Sequence, residues 1–234
     1  MRAVAATLLL LVCTAAQAAA PLIDAQGDIT GAWQFKGLPA QTLPATRYEA
    51  VNVEGRRVLR VEAQASYGHL VQELPTGTRP GHLAWSWRVD RANDRADLTR
   101  KDSDDSAIKV CASFDMPEAA VPFIERQLLR LARAASAQAL PTATLCYVWD
   151  LRLPSGTLIH NAYTDRVRLL VVRGKGSALS RWDSERRDLS ADFQRAFGNE
   201  FPSTPALLTL WVSADADNTR AHSLAYITDM VLQK

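Results

Sequence analysis

Long apolar runs are what this chain most conspicuously lacks. Outside an N-terminal stretch, no segment approaches the roughly 20 consecutive apolar residues that a membrane-crossing helix needs. A transmembrane segment is therefore not expected. An excess of charge of one sign is missing too: 27 Lys and Arg face 25 Asp and Glu, a formal charge of +2, with both signs mixed along the chain. A nucleic-acid partner, which would need a clustered basic face, is not expected. Even the richest basic stretch, Arg186-Arg187 with Arg173 and Lys175 upstream, is broken by Glu185 and Asp188 and reads as solvated surface.

Catalytic signatures are absent as well. There is no Gly-x-Ser-x-Gly elbow, no His-Glu-x-x-His zinc helix and no Cys-x-x-Cys pair. Gly174-Lys175-Gly176-Ser177 has the wrong glycine spacing and residue order for a phosphate loop, and His69, His82, His160 and His222 are scattered. Internal repeats, low-complexity tracts and linkers are not found.

The apolar stretch that does exist runs from Val4 through Val12, follows Arg2 and precedes Ala16-Gln17-Ala18, the small-x-small pattern cut by signal peptidase. Residues 1–18 read as a secretory signal peptide, cleaved near Ala18, and the product as an exported, periplasmic or secreted protein. About 216 residues then remain (19–234), one domain by length. Val12 stands where a lipoprotein signal needs a small residue before its cysteine, so Cys13 is expected to leave with the signal. Cys111 and Cys146 stay, in an oxidising compartment; they form either a disulfide or two buried thiols.

Alternation of apolar and polar residues dominates the remainder, as in strands with one buried face. It is seen in Val58-Leu59-Arg60-Val61, in Leu83, Trp85, Trp87 and Val89, and in Ile108, Val110, Ala112 and Phe114. More continuous apolar runs at Thr144–Trp149, Val167–Val172 and Ala206–Val212 read as central strands. About ten to twelve strands follow, separated by turn signals such as Glu54-Gly55 and Pro154-Ser155-Gly156. Residues 118–139 carry Val121, Ile124, Leu128, Leu131 and Ala135 at helical spacing, an amphipathic helix expected to pack on a sheet. A shorter helix has Leu189, Phe193 and Phe197 on one stripe, Asp188 or Ser190 as N-cap and Gly198 as C-cap. Many short strands without alternating helices predict an antiparallel β-sandwich or jelly roll bearing one longer and one short helix.

Two acidic clusters adjoin strands and are the candidate site: Asp102-Ser103-Asp104-Asp105 and Asp215-Ala216-Asp217-Asn218. Carboxylates at strand ends must be solvated, paired or bound to a cation. Asp215, Asp217 and Asn218 offer oxygens at the start of a loop much as a calcium site does, which makes Ca2+ the candidate cofactor. An EF-hand is excluded, because the sixth position from Asp215 is Arg220 where glycine is required and the twelfth is Tyr226 where glutamate is required. Turn hydrogen bonds or pairing with Arg220 and with Arg100-Lys101 are the plainer alternatives. If Asp104 or Asp105 lies near Asp215 or Asp217, like charges would raise one pKa and allow acid-base work or cation binding.

Among the tryptophans, Trp85 and Trp87 share a face with Leu83 and Val89 and read as core. Trp149 and Trp182 are the candidates for a sugar-stacking groove beside Asp104 and Asp105.

The wording of several segments is characteristic: Leu83-Ala84-Trp85-Ser86-Trp87-Arg88-Val89-Asp90, Asp104-Asp105-Ser106-Ala107, Tyr147-Val148-Trp149, Tyr163-Thr164-Asp165-Arg166, Glu185-Arg186-Arg187-Asp188, Ala191–Gly198 and Asp217-Asn218-Thr219. Together they resemble the bacterial exported family known as domain of unknown function 3047. The resemblance covers nearly all of 19–234 and implies an exported β-rich protein with no assigned activity and no catalytic roles to carry over. Ala214 and Ala216 stand where the family tends to small polar residues. The leading expectation is a non-catalytic β-sandwich binding a carbohydrate or envelope glycan. The alternatives are a glycan hydrolase or lyase using two of Asp104, Asp105, Asp215 and Asp217, or a structural envelope protein.

Overall fold

The computed structural model describes residues 19–136, 139–228 and 230–233. The proposed signal peptide lies outside the described residues. In chain order the elements are β1 (Trp33–Lys36), β2 (Arg47–Val53), β3 (Arg56–Gln64), β4 (His69–Thr78), β5 (His82–Arg91), β6 (Ser106–Phe114), α1 (Phe123–Ser136), β7 (Ala143–Trp149), β8 (Leu158–His160), β9 (Val167–Arg173), β10 (Asp183–Asp188), α2 (Leu189–Phe197), β11 (Leu207–Asp215), β12 (His222–Ile227) and β13 (Val231–Gln233). A single 3-10 turn, Glu118–Ala120, precedes α1. The strands beyond the expected number include β1, β8 and β13, four, three and three residues long, too short for a period to show.

The strands form a two-sheet sandwich. The larger sheet runs β1-β4-β11-β6-β7-β9-β8, and the smaller runs β10-β5-β12-β3-β2 with β13 also paired to β5. Pairing is antiparallel except between β7 and β9, which are parallel because β8 folds back along the outer edge of β9. Between the sheets lies one apolar core. It takes Leu59, Val61, Trp85, Trp87, Ala225 and Ile227 from the smaller sheet, and Ile108, Val110, Phe114, Leu145, Tyr147 and Val212 from the larger. The Trp85 and Tyr147 rings meet across it with centroids 5.2 Å apart. A second, smaller apolar cluster on the outer face of the larger sheet joins Cys111, Cys146, Val148, Leu169 and Val171 under Leu98. Cys111 and Cys146 face each other on β6 and β7 and form a disulfide.

Strand β5 buries every second residue, as its alternation predicts. Strand β6 is buried at all nine positions, Lys109 and Ser113 included. Its alternation marks two different buried surroundings, not one wet face.

The helices divide. In α2, Asp188 is the N-cap, accepting hydrogen bonds from Ser190 and Ala191 N–H, and Leu189, Phe193 and Phe197 are buried. Helix α1 presents to solvent the apolar stripe expected to pack: Phe123 is 67% exposed, Ile124 72%, Leu128 60% and Leu131 67%. Its polar side turns inward, with only Leu129 buried there. The cause is Arg166, 3% exposed, whose guanidinium pairs with Glu125 of α1 and with Glu200. A buried guanidinium demands carboxylate partners, a larger demand than covering a few leucines. Glu118 reinforces this orientation by pairing with Arg130 and Arg133.

Candidate functional site

The two acidic clusters meet because of sheet order. Strands β5 and β12 are neighbours in the smaller sheet, β6 and β11 in the larger. The β5–β6 connection (92–105) and the β11–β12 connection (216–221) both cross between the sheets at the same end, so they must run side by side. Asp105 ties them together: its carboxylate accepts from the backbone N–H of Asn218 (3.2 Å) and Thr219 (2.8 Å) and from the Thr219 hydroxyl. Asn93 Nδ2 donates to the Thr219 hydroxyl in turn, at 2.9 Å.

Asp215 ends β11 opposite Ser106, after a register irregularity beyond the Ser213–Lys109 pair. Its Oδ1 accepts from Ser106 N–H at 2.6 Å and its Oδ2 from Lys109 Nζ at 2.7 Å. Burial works against the charge on Lys109, but Asp215 and Asp104 outweigh it and hold the amine above its usual pKa.

Asp104 is 5% exposed. Its Oδ2 accepts from Asn161 Nδ2 at 2.5 Å, while its Oδ1 is buried with no partner. Burial, with Asp215 and Asp105 adding to it against Lys109 and Asn161, pushes the Asp104 carboxyl up to about 6. Asp217 is half-buried, and its Oδ1 also has no partner. Burial, Asp215 and Asp105 raise its pKa as well.

Aromatic rings flank these carboxylates. The Tyr163 ring is 57% exposed; its hydroxyl lies 2.5 Å from the Lys101 carbonyl and 3.2 Å from Asn218 Oδ1. Tyr67, half-buried, is raised in pKa by burial and by Asp215 and Asp217. Next to it on the outer face of the larger sheet stands His69, opposite Ser213, with its ring 4.7 Å from that of Trp211 and 6.1 Å from that of Tyr67. His69 Nδ1 is buried without a partner, and burial with the charges of Lys109 and Lys36 lowers its pKa to about 4. Val71, opposite Trp211, borders a cavity of about 180 Å³ lined also by Gly31, Ala32, Gln34, Lys36 and Glu73. The outer face from β1 to β6 thus reads, in order, as Gln34 and Lys36, Val71 and His69, Trp211 with Asp215, and Lys109. That is three strand spacings, about 14 Å.

Other expectations are corrected. Trp149 is 4% exposed and belongs to the core between the sheets, so no ligand can stack on it. Trp182 is half-exposed but sits by the β2–β3 turn, with its Nε1 donating to Glu54 and Arg56 over its ring. Neither joins Asp104 and Asp105 in a groove. The calcium expectation at Asp215, Asp217 and Asn218 does not fit. Lys109 already supplies the cation on Asp215, Asn218 Oδ1 meets a tyrosine hydroxyl, and among the described residues no three carboxylate, imidazole or thiol groups gather closely enough to hold a metal ion. Residues not singled out in the sequence complete the site: Lys109, Asn161, Tyr163, Tyr67, His69 and Trp211. One signal was available, since a lysine in the run Ala107–Ala112 demands a buried partner.

Compared with solved structures, the chain is similar to a family 29 carbohydrate binding module in two mutant forms, at 9% and 7% identity. Each has a TM-score of 0.39 and covers 93% of this chain and 92% of that one. It is also similar to the K2 cleaved adhesin domain of Lys-gingipain, at 8% identity and a TM-score of 0.39 over 89% of this chain and 93% of that one. Comparison with curated proteins finds no match. The family model described as "Protein of unknown function (DUF3047)" matches residues 31–231, and the chain belongs to that family.

Proposed function

We propose that this is an exported, non-catalytic binding protein whose ligand is a polyhydroxylated molecule, an envelope glycan, held on the outer face of the larger sheet. One observation carries the reading. His69 Nδ1, Asp104 Oδ1 and Asp217 Oδ1 are buried polar atoms without partners, the first beside the Trp211 ring and the other two within the field of the Tyr163 hydroxyl. Such atoms cost about 1–3 kcal/mol each when left unsatisfied, a cost that ligand hydroxyls would relieve. Trp211, half-exposed with its indole N–H donating to Ser113, and Tyr163 supply apolar faces for sugar rings. The apolar signal-like residues 4–18 support export.

Screening purified protein against a panel of envelope oligosaccharides, followed by calorimetry, tests this. A hit is expected whose affinity falls at least tenfold in Trp211→Ala and in Tyr163→Ala. A hit unaffected by both variants would move the site elsewhere, and no hit on the panel would end the glycan reading.

A second reading has its own support. A carboxyl raised to about 6 keeps a fraction of its protons, about a tenth, at pH 7, as a general acid needs, and Asp104 meets that condition with the carboxylates of Asp215 and Asp105 nearby. Release of new reducing ends from a bound oligosaccharide, abolished in Asp104→Asn, would establish a hydrolase. Intact ligand after prolonged incubation would retire it.

A further inference from the structure

We propose that the exposed face of α1 is a docking surface for an anionic lipid bilayer, the helix lying flat among the headgroups with its apolar side chains inserted. The inference does not depend on the glycan reading.

The face is set by what the other side of the helix does. Glu125, Leu129 and Arg133 recur four apart and so share one side. Glu125 pairs with the buried Arg166, Leu129 is buried, and Arg133 binds Glu118 and the Leu140 carbonyl. Rolling the helix to hide its apolar side would strip Arg166 of a carboxylate, a costly loss for a buried charge. Phe123, Ile124, Leu128 and Leu131 are therefore held in solvent, 60–72% exposed. Ala132, Ala134 and Ala135 are exposed beside them, and Gln127 is the one polar residue on that side of the helix.

Width and area argue against a second copy as the cover. At about 100° per residue, Phe123 and Leu128 stand about 140° apart around the helix. A partner helix covers a narrow seam such as Ile124, Leu128, Leu131 and Ala135, which leaves Phe123 wet. At roughly 120 Å² each, the four large side chains offer about 500 Å² per copy. A symmetric pair would then bury about 1,000 Å², short of the roughly 1,200–2,000 Å² of stable interfaces. A bilayer covers the whole convex face and asks for no matching shape.

The rim supplies the sign of the charge. Arg126 stands beside Phe123, its guanidinium 5.7 Å from the ring centroid, with no carboxylate partner among the described residues. Arg130, next along the same edge, is more than half exposed although bound to Glu118. Of the acids in 115–142, Glu118 and Glu125 are held by arginines, and Asp115 is exposed ahead of the 3-10 turn. The acidic clusters are remote. Strand β6 leads from Ser106, opposite Asp215, to Phe114, opposite Ala143, so α1 lies at the other end of the sandwich, about 27 Å away along the strand. Arginine at the edge of an apolar face, far from the acids, suits a negatively charged surface.

Sedimentation of the full mature chain with two kinds of vesicle, phosphatidylcholine alone and phosphatidylcholine mixed with phosphatidylglycerol, tests the inference. Binding to the mixed vesicles is expected, about fivefold tighter than to phosphatidylcholine alone, the contribution of one arginine at an anionic surface. Leu128→Gln combined with Leu131→Gln should weaken it at least tenfold while melting, without lipid, as the parent does. Leu179→Gln, at an exposed leucine elsewhere, should leave binding unchanged. Arg126→Gln should erase the preference for mixed vesicles. Binding that survives the double glutamine variant overturns the assignment to α1, and equal binding to both vesicles overturns the anionic surface. Sedimentation with neither overturns the proposal, and a concentration-dependent dimer lost in the double variant would then give the face to a second copy.

Discussion

Lys109 Nζ lies 2.7 Å from Asp215 Oδ2 across neighbouring strands, with 11% and 7% of the two side chains exposed. Buried pairs of this kind are organisers more than stabilisers, because desolvation offsets most of their attraction. Removing one partner strands the other charge. Lys109→Met and Asp215→Leu should each cost about 3–5 kcal/mol in urea unfolding, and the double variant should lose much less than the sum. Additive losses would mean that the two groups do not depend on each other.

What the sequence reveals depends on whether a residue's neighbours are local. The alternation through Leu83, Trp85, Trp87 and Val89 is legible because β5 buries one face only. The run Ala107–Ala112 signals that Lys109 needs a buried partner but not which one, since Asp215 comes 106 residues later. Convergence of the acidic clusters was likewise out of reach: it follows from β6 lying beside β11, and pairing order leaves no local trace. Trp149 illustrates the opposite error: expected in a sugar-stacking groove, it closes the core instead.

Helix α1 was legible as a helix but not in its orientation, which Arg166 sets from a different strand. Exposed positions should tolerate polarity. Leu128→Gln and Leu131→Gln are expected to change stability by no more than about 0.5 kcal/mol. Leu129→Ala, on the buried side, should cost about 2 kcal/mol or more. Thermal melts of the three variants decide it, and a large loss at Leu128 would reverse the assigned faces.

The Cys111–Cys146 bridge spans 35 residues, a span that contains α1 and the loop before β7. Closing such a loop in the unfolded chain is worth about 2–4 kcal/mol. The double variant Cys111→Ala, Cys146→Ala should melt correspondingly lower while keeping its β-sheet signature, and thiol titration of denatured, unreduced protein should find neither residue free. Two reactive thiols would remove the bridge and this term with it.

The site also makes stability depend on pH in two opposing ways. The Asp104 carboxyl sits near 6 in the native state against an ordinary 3.8, under burial and the charges of Asp215 and Asp105, with Lys109 opposing. The native state therefore holds a proton that the unfolded chain releases between about pH 4 and 6, and stability falls as pH rises through that window. His69 runs the other way. Its pKa is near 4 against an ordinary 6.5, because of burial and the nearby Lys109 and Lys36. Between about pH 4 and 6.5 the unfolded chain binds the proton that native His69 refuses, so this group makes stability rise with pH. Each shift of about 2 units corresponds to at most about 3 kcal/mol, and in the intact protein the two slopes largely cancel. Single variants should separate them. Relative to the parent, Asp104→Asn should melt at progressively higher temperature from pH 4 to 7, and His69→Gln should gain most at pH 4 and least at pH 7. Groups that do not interact with either residue cancel from the difference curves, which then report Asp104 with the carboxylates coupled to it and His69 with its neighbouring lysines. Profiles parallel to the parent in both variants would show that Asp104 and His69 titrate normally and that the outer face is wetter than its packing implies.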